Sequence, residues 1–239
     1  MPALPAFAGV IVVAPSGGAF TSLEDSVDAA IEGDTILVKP GVVPSGFVFV
    51  DGKSLTIVGD APTPVHAAEN LSIWNLAAGQ HVTLRNLTLR QSTLLSNAGS
   101  VWIEDCSYTA LSQGPTEVIG NCVGAYDPFA TPSFGAVECA SVTLVRCTFL
   151  GGAGHDGYTG GGMTVGLSTD GGAGVRVQSS TVAAYECMLS GGKGGGGEAW
   201  CDFLGDGGPG LSGLASFPFN PDVGSKVLLS GCTLVGGDA

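Results

Sequence analysis

Residues 141–150 read SVTLVRCTFL, and four other ten-residue stretches share their pattern: HVTLRNLTLR (81–90), SVWIEDCSYT (100–109), TVAAYECMLS (181–190) and KVLLSGCTLV (226–235). SLTIVGDA, from Ser54, belongs with them. Written one above another, the five tens place Val82, Val101, Val142, Val182 and Val227 in one column. Leu87, Cys106, Cys147, Cys187 and Cys232 fall in a second. Apolar residues alternate along each stretch, the period of a β-strand, and a polar or tight step divides each into two parts. A shorter apolar piece precedes each: SIWNL (72–76), TLLSN (93–97), AVECA (136–140), GVRVQ (174–178) and, least clearly, GLSGLA (210–215).

A repeated strand, bend, strand, strand unit without intervening helices is what a parallel β-solenoid requires. Successive coils then lie about 4.8 Å apart, so that one column becomes a ladder of side chains inside the cylinder. In the cysteine column, thiols fill the interior as small apolar groups, or neighbouring coils are bridged by disulfides, since the spacing allows both. The seven cysteines leave at least one without an internal partner. Cys122 and Cys201 stand apart from the column.

The rest of the composition agrees with one elongated domain over residues 1–239. Forty glycines and 44% hydrophobic residues supply both core material and tight backbone positions. A formal charge of -13, from 8 basic and 21 acidic residues, excludes nucleic acid, because phosphate-backbone binding needs Lys and Arg. It also opposes an acidic polysaccharide unless divalent cations bridge the two. No window offers 18 uninterrupted apolar residues, and the first 18 residues lack the basic start of a signal peptide, so no membrane insertion is expected.

An N-terminal cap is expected over residues 9–34. TSLEDSVDAAIEGD (21–34) puts Thr21 and Glu24 at capping-box spacing, sets Leu23, Val27, Ala30 and Ile31 on one helical face, and ends at Gly33. Coils then occupy 35–239, and no second cap follows GCTLVGGDA (231–239). End-to-end self-association, or continuation in a longer chain, is the matching expectation.

VVAPSGGAFTSLEDSVDAAIEGDTILVKPGVV (12–43), followed by KSLTIVGDA (53–61), resembles the entry segment of right-handed parallel β-helix proteins of the pectin-lyase-like superfamily, and pectinesterases most. The resemblance covers about the first 60 residues. It implies an all-β, right-handed parallel β-helix of about six coils with an N-terminal capping α-helix, and a secreted or cell-surface location. It does not extend to the catalytic strings of the relatives. The paired-aspartate and GRPW-like motifs of pectinesterases are missing, as are the GHG and RIK-like motifs of polygalacturonases.

Surplus length falls after CSY, CTF and CML, in three glycine-rich insertions at roughly 109–135, 151–174 and 191–211. They should leave the same corner of consecutive coils and stand side by side as a wall. The middle one, GGAGHDGYTGGGMTVGLSTDGGAG, contains 11 glycines in 24 residues, which suits a compact loop that folds back on its coil. The wall holds Tyr126, Asp127, His155, Asp156, Tyr158, Asp170, Glu198, Trp200, Asp202 and Asp206, beside a floor formed by Glu138 and Arg176. His66 and His81 are placed at turns near the capped end.

Aromatics among carboxylates suit a sugar, with Tyr126, His155, Tyr158 and Trp200 as ligand-binding residues. Asp156, Asp170, Asp202 and Asp206 would serve a hard cation such as Ca²⁺, which takes carboxylate and carbonyl oxygens, though no EF-hand pattern is present. The leading function is a non-catalytic, structural or carbohydrate-binding module with polysaccharide as candidate partner. The alternative is a polysaccharide lyase or hydrolase using Glu138, Asp156, Asp170 and Arg176.

Overall fold

A computed structural model describes residues 8–110, 132–154, 158–159, 165–166, 172–194, 211–213 and 224–238. The chain begins with β1 (Val10–Val13), α1 (Leu23–Ala29), β2 (Thr35–Val38), β3 (Ser45–Asp51), β4 (Leu55–Gly59), β5 (Val65–Trp74), β6 (His81–Arg85) and β7 (Leu87–Leu95). It continues with β8 (Ser100–Glu104), β9 (Ser107–Thr109), β10 (Phe134–Val137), β11 (Ser141–Val145), β12 (Thr148–Leu150), β13 (Tyr158–Thr159) and β14 (Val165–Gly166). The last elements are β15 (Val175–Gln178), β16 (Thr181–Tyr185), β17 (Met188–Ser190), β18 (Leu211–Gly213), β19 (Lys226–Ser230) and β20 (Thr233–Val235).

Two large parallel sheets result. One runs β1-β2-β4-β6-β8-β11-β16-β19; the other runs β18-β15-β10-β7-β9-β12-β17-β20, with β5 and then β3 joined to β7. From β2 onward the chain passes back and forth between them, and each return lands beside the strand laid down one pass earlier, an architecture consistent with a solenoid. Its interior is the apolar core, and it is filled by the columns read from sequence. Leu55, Val82, Val101, Val142 and Val182 stand in register on adjacent strands and are buried, and Val227 continues the column into exposed ground on the last pass.

From β6 onward the turn from the first sheet to the second is a single residue in the left-handed region. Asn86, Asp105, Arg146, Glu186 and Gly231 occupy it with φ of 56°, 54°, 50°, 53° and 64°. Asn75, Ser96, Glu138 and Ser179, at 56°, 53°, 54° and 46°, form a matching column where the second sheet turns back. Asn, Asp and Gly accept this conformation readily; Arg146, Glu138 and Glu186 do not. Tertiary pairing holds them there: Arg146 N–H donates to Tyr185 O at 2.9 Å and Glu138 N–H to Gln178 O at 3.0 Å, each bond reaching the next pass. The polar or tight step of the sequence pattern is therefore one corner residue.

Directly after the first corner column come the cysteines. The thiols of Cys147, Cys187 and Cys106 each donate to the carbonyl two residues back, at 3.2, 3.3 and 3.3 Å. The sulfurs of Cys187 and Cys232 lie 3.4 and 3.5 Å from the N–H of Cys147 and Cys187 on the preceding pass, accepting the donors that the corners leave over. Cys106, Cys139, Cys147, Cys187 and Cys232 are free thiols. Contact with the Cys106 thiol, together with burial, pushes the Cys147 thiol up to about 12, and contact with Cys147 plus burial pushes Cys187 higher still. Since the thiolate is the nucleophile, Cys147 and Cys187 should resist iodoacetamide at pH 8 in the folded protein and react fully in denaturant. Mass spectrometry of labelled peptides checks this, and rapid labelling of native Cys147 would contradict the ladder.

Three sequence expectations are corrected. Ser22, not Thr21, caps α1: its Oγ accepts from Asp25 N–H at 3.4 Å, and it stands 3.4 Å from Ser45 Oγ on β3, which sets the helix entry one residue later. Ile31 is exposed rather than packed, because the helix ends at Ala29 and Ala30 is already extended. His66 lies within β5 and His81 opens β6, so neither sits in a turn.

The insertions leave from the strand line of the second sheet instead of a corner. Along β7, Leu89 pairs with Tyr108 and Ser92 with Phe134, so residues 109 to 133 take the place held on β7 by Arg90 and Gln91 alone. The same substitution recurs one pass later, with Leu150 in register with Thr109 and Val175 with Phe134, and again with Ser190 and Leu211. Where the necks of the last two insertions meet, backbone packs on backbone: Gly172 N–H donates to Gly152 O at 2.7 Å, and Gly192 N–H to Gly172 O at 2.8 Å. Within the middle insertion β13 and β14 pair antiparallel, Tyr158 opposite Gly166, so this stretch carries a hairpin. Beneath the seam, Tyr108 and Phe149 stack at 4.8 Å between centroids and Phe134 sits 5.2 Å from Phe149, all three fully buried.

Candidate functional site

Strand β3, SGFVFVD, alternates from Phe47 onward: Val48 and Val50 enter the core while Phe47 and Phe49 face solvent. Phe47 is 60% and Phe49 48% exposed, and their rings lie 6.4 Å apart and nearly parallel, at 9°. Trp74, the last residue of β5, turns outward beside them, 5.5 Å from Phe49 and edge-on at 69°. Three large exposed rings, linked through Phe49, form an apolar patch of the sort that marks a binding surface, since single exposed apolar residues are common but clusters are not.

Register continues the face. Phe47 is in line with Asn70 and Gln91, and Phe49 with Ser72 and Thr93, so a row of rings on β3 adjoins ranks of amides and hydroxyls on β5 and β7. Asp51, in line with Trp74, accepts a hydrogen bond from Asn75 Nδ2 at 2.8 Å. At the opposite end of β3, the exposed Glu24 and Asp25 of α1 are held close, because Glu24 N–H donates to Ser45 Oγ at 3.3 Å. Lys53, the cation nearest in sequence, is engaged elsewhere: its Nζ donates to Val27 O at 2.6 Å and Ala30 O at 3.0 Å, closing the helix C-terminus. Arg90 pairs with Glu69.

Of the site residues expected from sequence, Glu138, Tyr158 and Arg176 fall among the described residues. Arg176 lies on β15 in the same outward column as Phe49, Ser72, Thr93 and Gly135, four strand spacings from Phe49, roughly 19 Å. Glu138 is not on a strand floor: it occupies a left-handed corner and accepts from Ser96 Oγ at 2.9 Å. It stands three positions beyond Gly135, Arg176's neighbour, so Glu138 and Arg176 occupy different columns. Tyr158 belongs to β13. Tyr126, Asp127, His155, Asp156, Asp170, Glu198, Trp200, Asp202 and Asp206 lie outside the described residues. Among the described residues, no group of three or more His, Cys, Asp or Glu side chains is arranged to hold a metal.

A groove of about 620 Å³ opens at the first corner column, between Pro62, Pro64, Arg85, Asp105 and Arg146. Its charges answer one another. Arg146 Nε donates to Asp105 Oδ1 at 2.7 Å and its Nη2 reaches both Asp105 and Glu104, while Arg85 stands 3.7 Å from Glu104 and 3.9 Å from Asp105. The Arg146 guanidinium holds the Asp105 carboxyl below its usual range, and the two carboxylates raise Arg146. The groove is thus a ladder of alternating charge with no surplus of either sign for a ligand.

Two of the three rings, Phe47 and Phe49, lie outside the repeat, because β3 precedes the first stretch that aligns with SVTLVRCTFL; Trp74 belongs to the recurring piece SIWNL. The alternation in FVFV was the available signal: two phenylalanines on one side of a strand whose other side is two valines. No helix among the described residues is long and apolar enough to cross a membrane. No protein family, curated protein or solved structure matches the chain, so the likeness of its entry segment to pectin-lyase-like proteins stands on residues 12–61 alone.

Proposed function

We propose that the chain is a right-handed parallel β-helix of about six coils and acts as a non-catalytic extracellular or cell-surface module that binds polysaccharide on the outward face of β3, β5 and β7. Parallel strands joined by crossovers are right-handed in the great majority of proteins, and the entry segment resembles right-handed relatives. The observation that carries the binding reading is the contiguous row Phe47, Phe49 and Trp74 beside Asn70, Ser72, Gln91 and Thr93. A pyranose has apolar faces that pack on aromatic rings and equatorial hydroxyls that bond to amides and alcohols, and a flat strand surface presents both kinds of group at strand spacing.

The lyase or hydrolase reading receives less support. Its carboxylate pairs, Glu138 with Asp156 or Asp170, each include a residue outside the described ones, so no described geometry carries it.

Affinity electrophoresis against a panel of soluble polysaccharides tests the proposal. Trp74→Ala and Phe49→Ala should each weaken retardation about tenfold, ~1.4 kcal/mol, while leaving the melting temperature in place, since the rings are exposed. Retention of full affinity in the double variant would rule this face out.

A further inference from the structure

Building on that reading, we infer that the polysaccharide held by this face is uncharged, a neutral glycan chain bound without Ca²⁺, and that the acidic rim of the face excludes uronate polymers. The argument is one of charge and hydrogen-bond chemistry. The ranks that adjoin the rings, Asn70 and Gln91, then Ser72 and Thr93, are neutral groups that both donate and accept, the requirement for a hydroxyl, which also does both. A carboxylated sugar would instead call for guanidinium or ammonium groups. Here the neighbouring cations are already committed, Lys53 to helix carbonyls and Arg90 to Glu69.

Among the described residues, and Lys53 aside, the charges around the rings that have no ion pair are acidic. Asp51 lies beside Trp74 at one end of β3, and Glu24 and Asp25 lie at the other. A polyanion drawn across the face would pass these carboxylates in a protein of formal charge -13, and like-charge juxtaposition suppresses the wrong partner. Calcium could relieve that repulsion only if the acids formed a cage, and among the described residues none is arranged as one.

Isothermal titration of the intact protein with a soluble β-glucan, polygalacturonate and chitosan, each in EDTA and in Ca²⁺ and at low and high salt, tests the inference. The β-glucan should bind with an affinity that neither salt nor EDTA changes, and Trp74→Ala should lower it about tenfold. Polygalacturonate should bind at least about tenfold more weakly, and Asp51→Asn should narrow that gap. Polygalacturonate or chitosan binding more tightly than the β-glucan, with sensitivity to Trp74→Ala, would overturn the inference and leave the glycan-binding reading intact. Binding that requires Ca²⁺ would do the same. An unchanged gap in Asp51→Asn would remove the acidic rim as its cause. Indifference of all three glycans to Trp74→Ala, or no binding by any, would overturn the reading itself and the inference with it.

Discussion

Gly192→Ala should lower the melting temperature by about 6 to 12 °C, the shift that about 3 kcal/mol produces in a chain of this length. The added Cβ would lie 1.9 Å from Gly152 O and 2.5 Å from Gly152 C, far inside contact distance, and both obstacles are backbone. Neither can rotate away. Relief requires the two necks to separate, which breaks the Gly192 N–H to Gly172 O bond and the Gly172 N–H to Gly152 O bond, each worth about 1 kcal/mol, on top of about 1 to 3 kcal/mol of overpacking. Gly151→Ala should behave alike, since its Cβ would meet Gly172 O at 2.0 Å. Gly46→Ala is the control: it lies exposed on β3 with no described atom within 4 Å of the point a Cβ would occupy, and it should change stability by less than about 0.5 kcal/mol. Thermal melts followed by circular dichroism decide the matter. Equal, small shifts in all three would show that the necks do not pack backbone on backbone.

Phe149→Ala should cost about 3 to 5 kcal/mol, the range for emptying a large aromatic from a closed core. Its ring stacks on Tyr108 and abuts Phe134, so one truncation strips contacts from three strands, β9, β10 and β12, at the seam from which the insertions leave. In stacked repeats each pass is stabilised mainly by its neighbours, so the damage should be local. Amide exchange should quicken on β9, β10, β12 and β17 while β2 and β4 keep their protection. A uniform loss of protection would instead mean that the stack unfolds as one unit.

These effects follow from features that differ in how visible they were beforehand. The alignment of SVTLVRCTFL with its counterparts predicted the register of β8, β11, β16 and β19 residue for residue, and the cysteine column with it. That was legible because, in parallel in-register stacking, the same position of each repeat is a spatial neighbour, so a one-dimensional pattern is already a list of tertiary contacts. The three insertions were legible for the same reason, as interruptions of a regular count.

What the repeat did not contain, the pattern could not show. The exits were expected at a corner, and they lie in a strand line that β5 and β7 cross without interruption; the distinction depends on which residues pair, which spacing does not state. Arg146 and Glu138 carry no preference for a left-handed conformation and hold it only because the next pass supplies acceptors for their N–H groups. Ser22 displaced Thr21 as helix cap through its position against Ser45, a residue of β3.

Sequence alone thus determined the strand period, the stacking register and the inward columns, since burial in a stacked sheet imposes alternation on every pass. Only the tertiary structure decided which outward residues lie together. Phe47, Phe49 and Trp74 come from two strands and become one surface when β5 aligns beside β3, while Glu138 and Arg176, plausible partners on a line of text, are set in separate columns by a single corner residue. Solvent-facing positions carry no burial constraint to imprint a pattern, so their association can be read only from geometry.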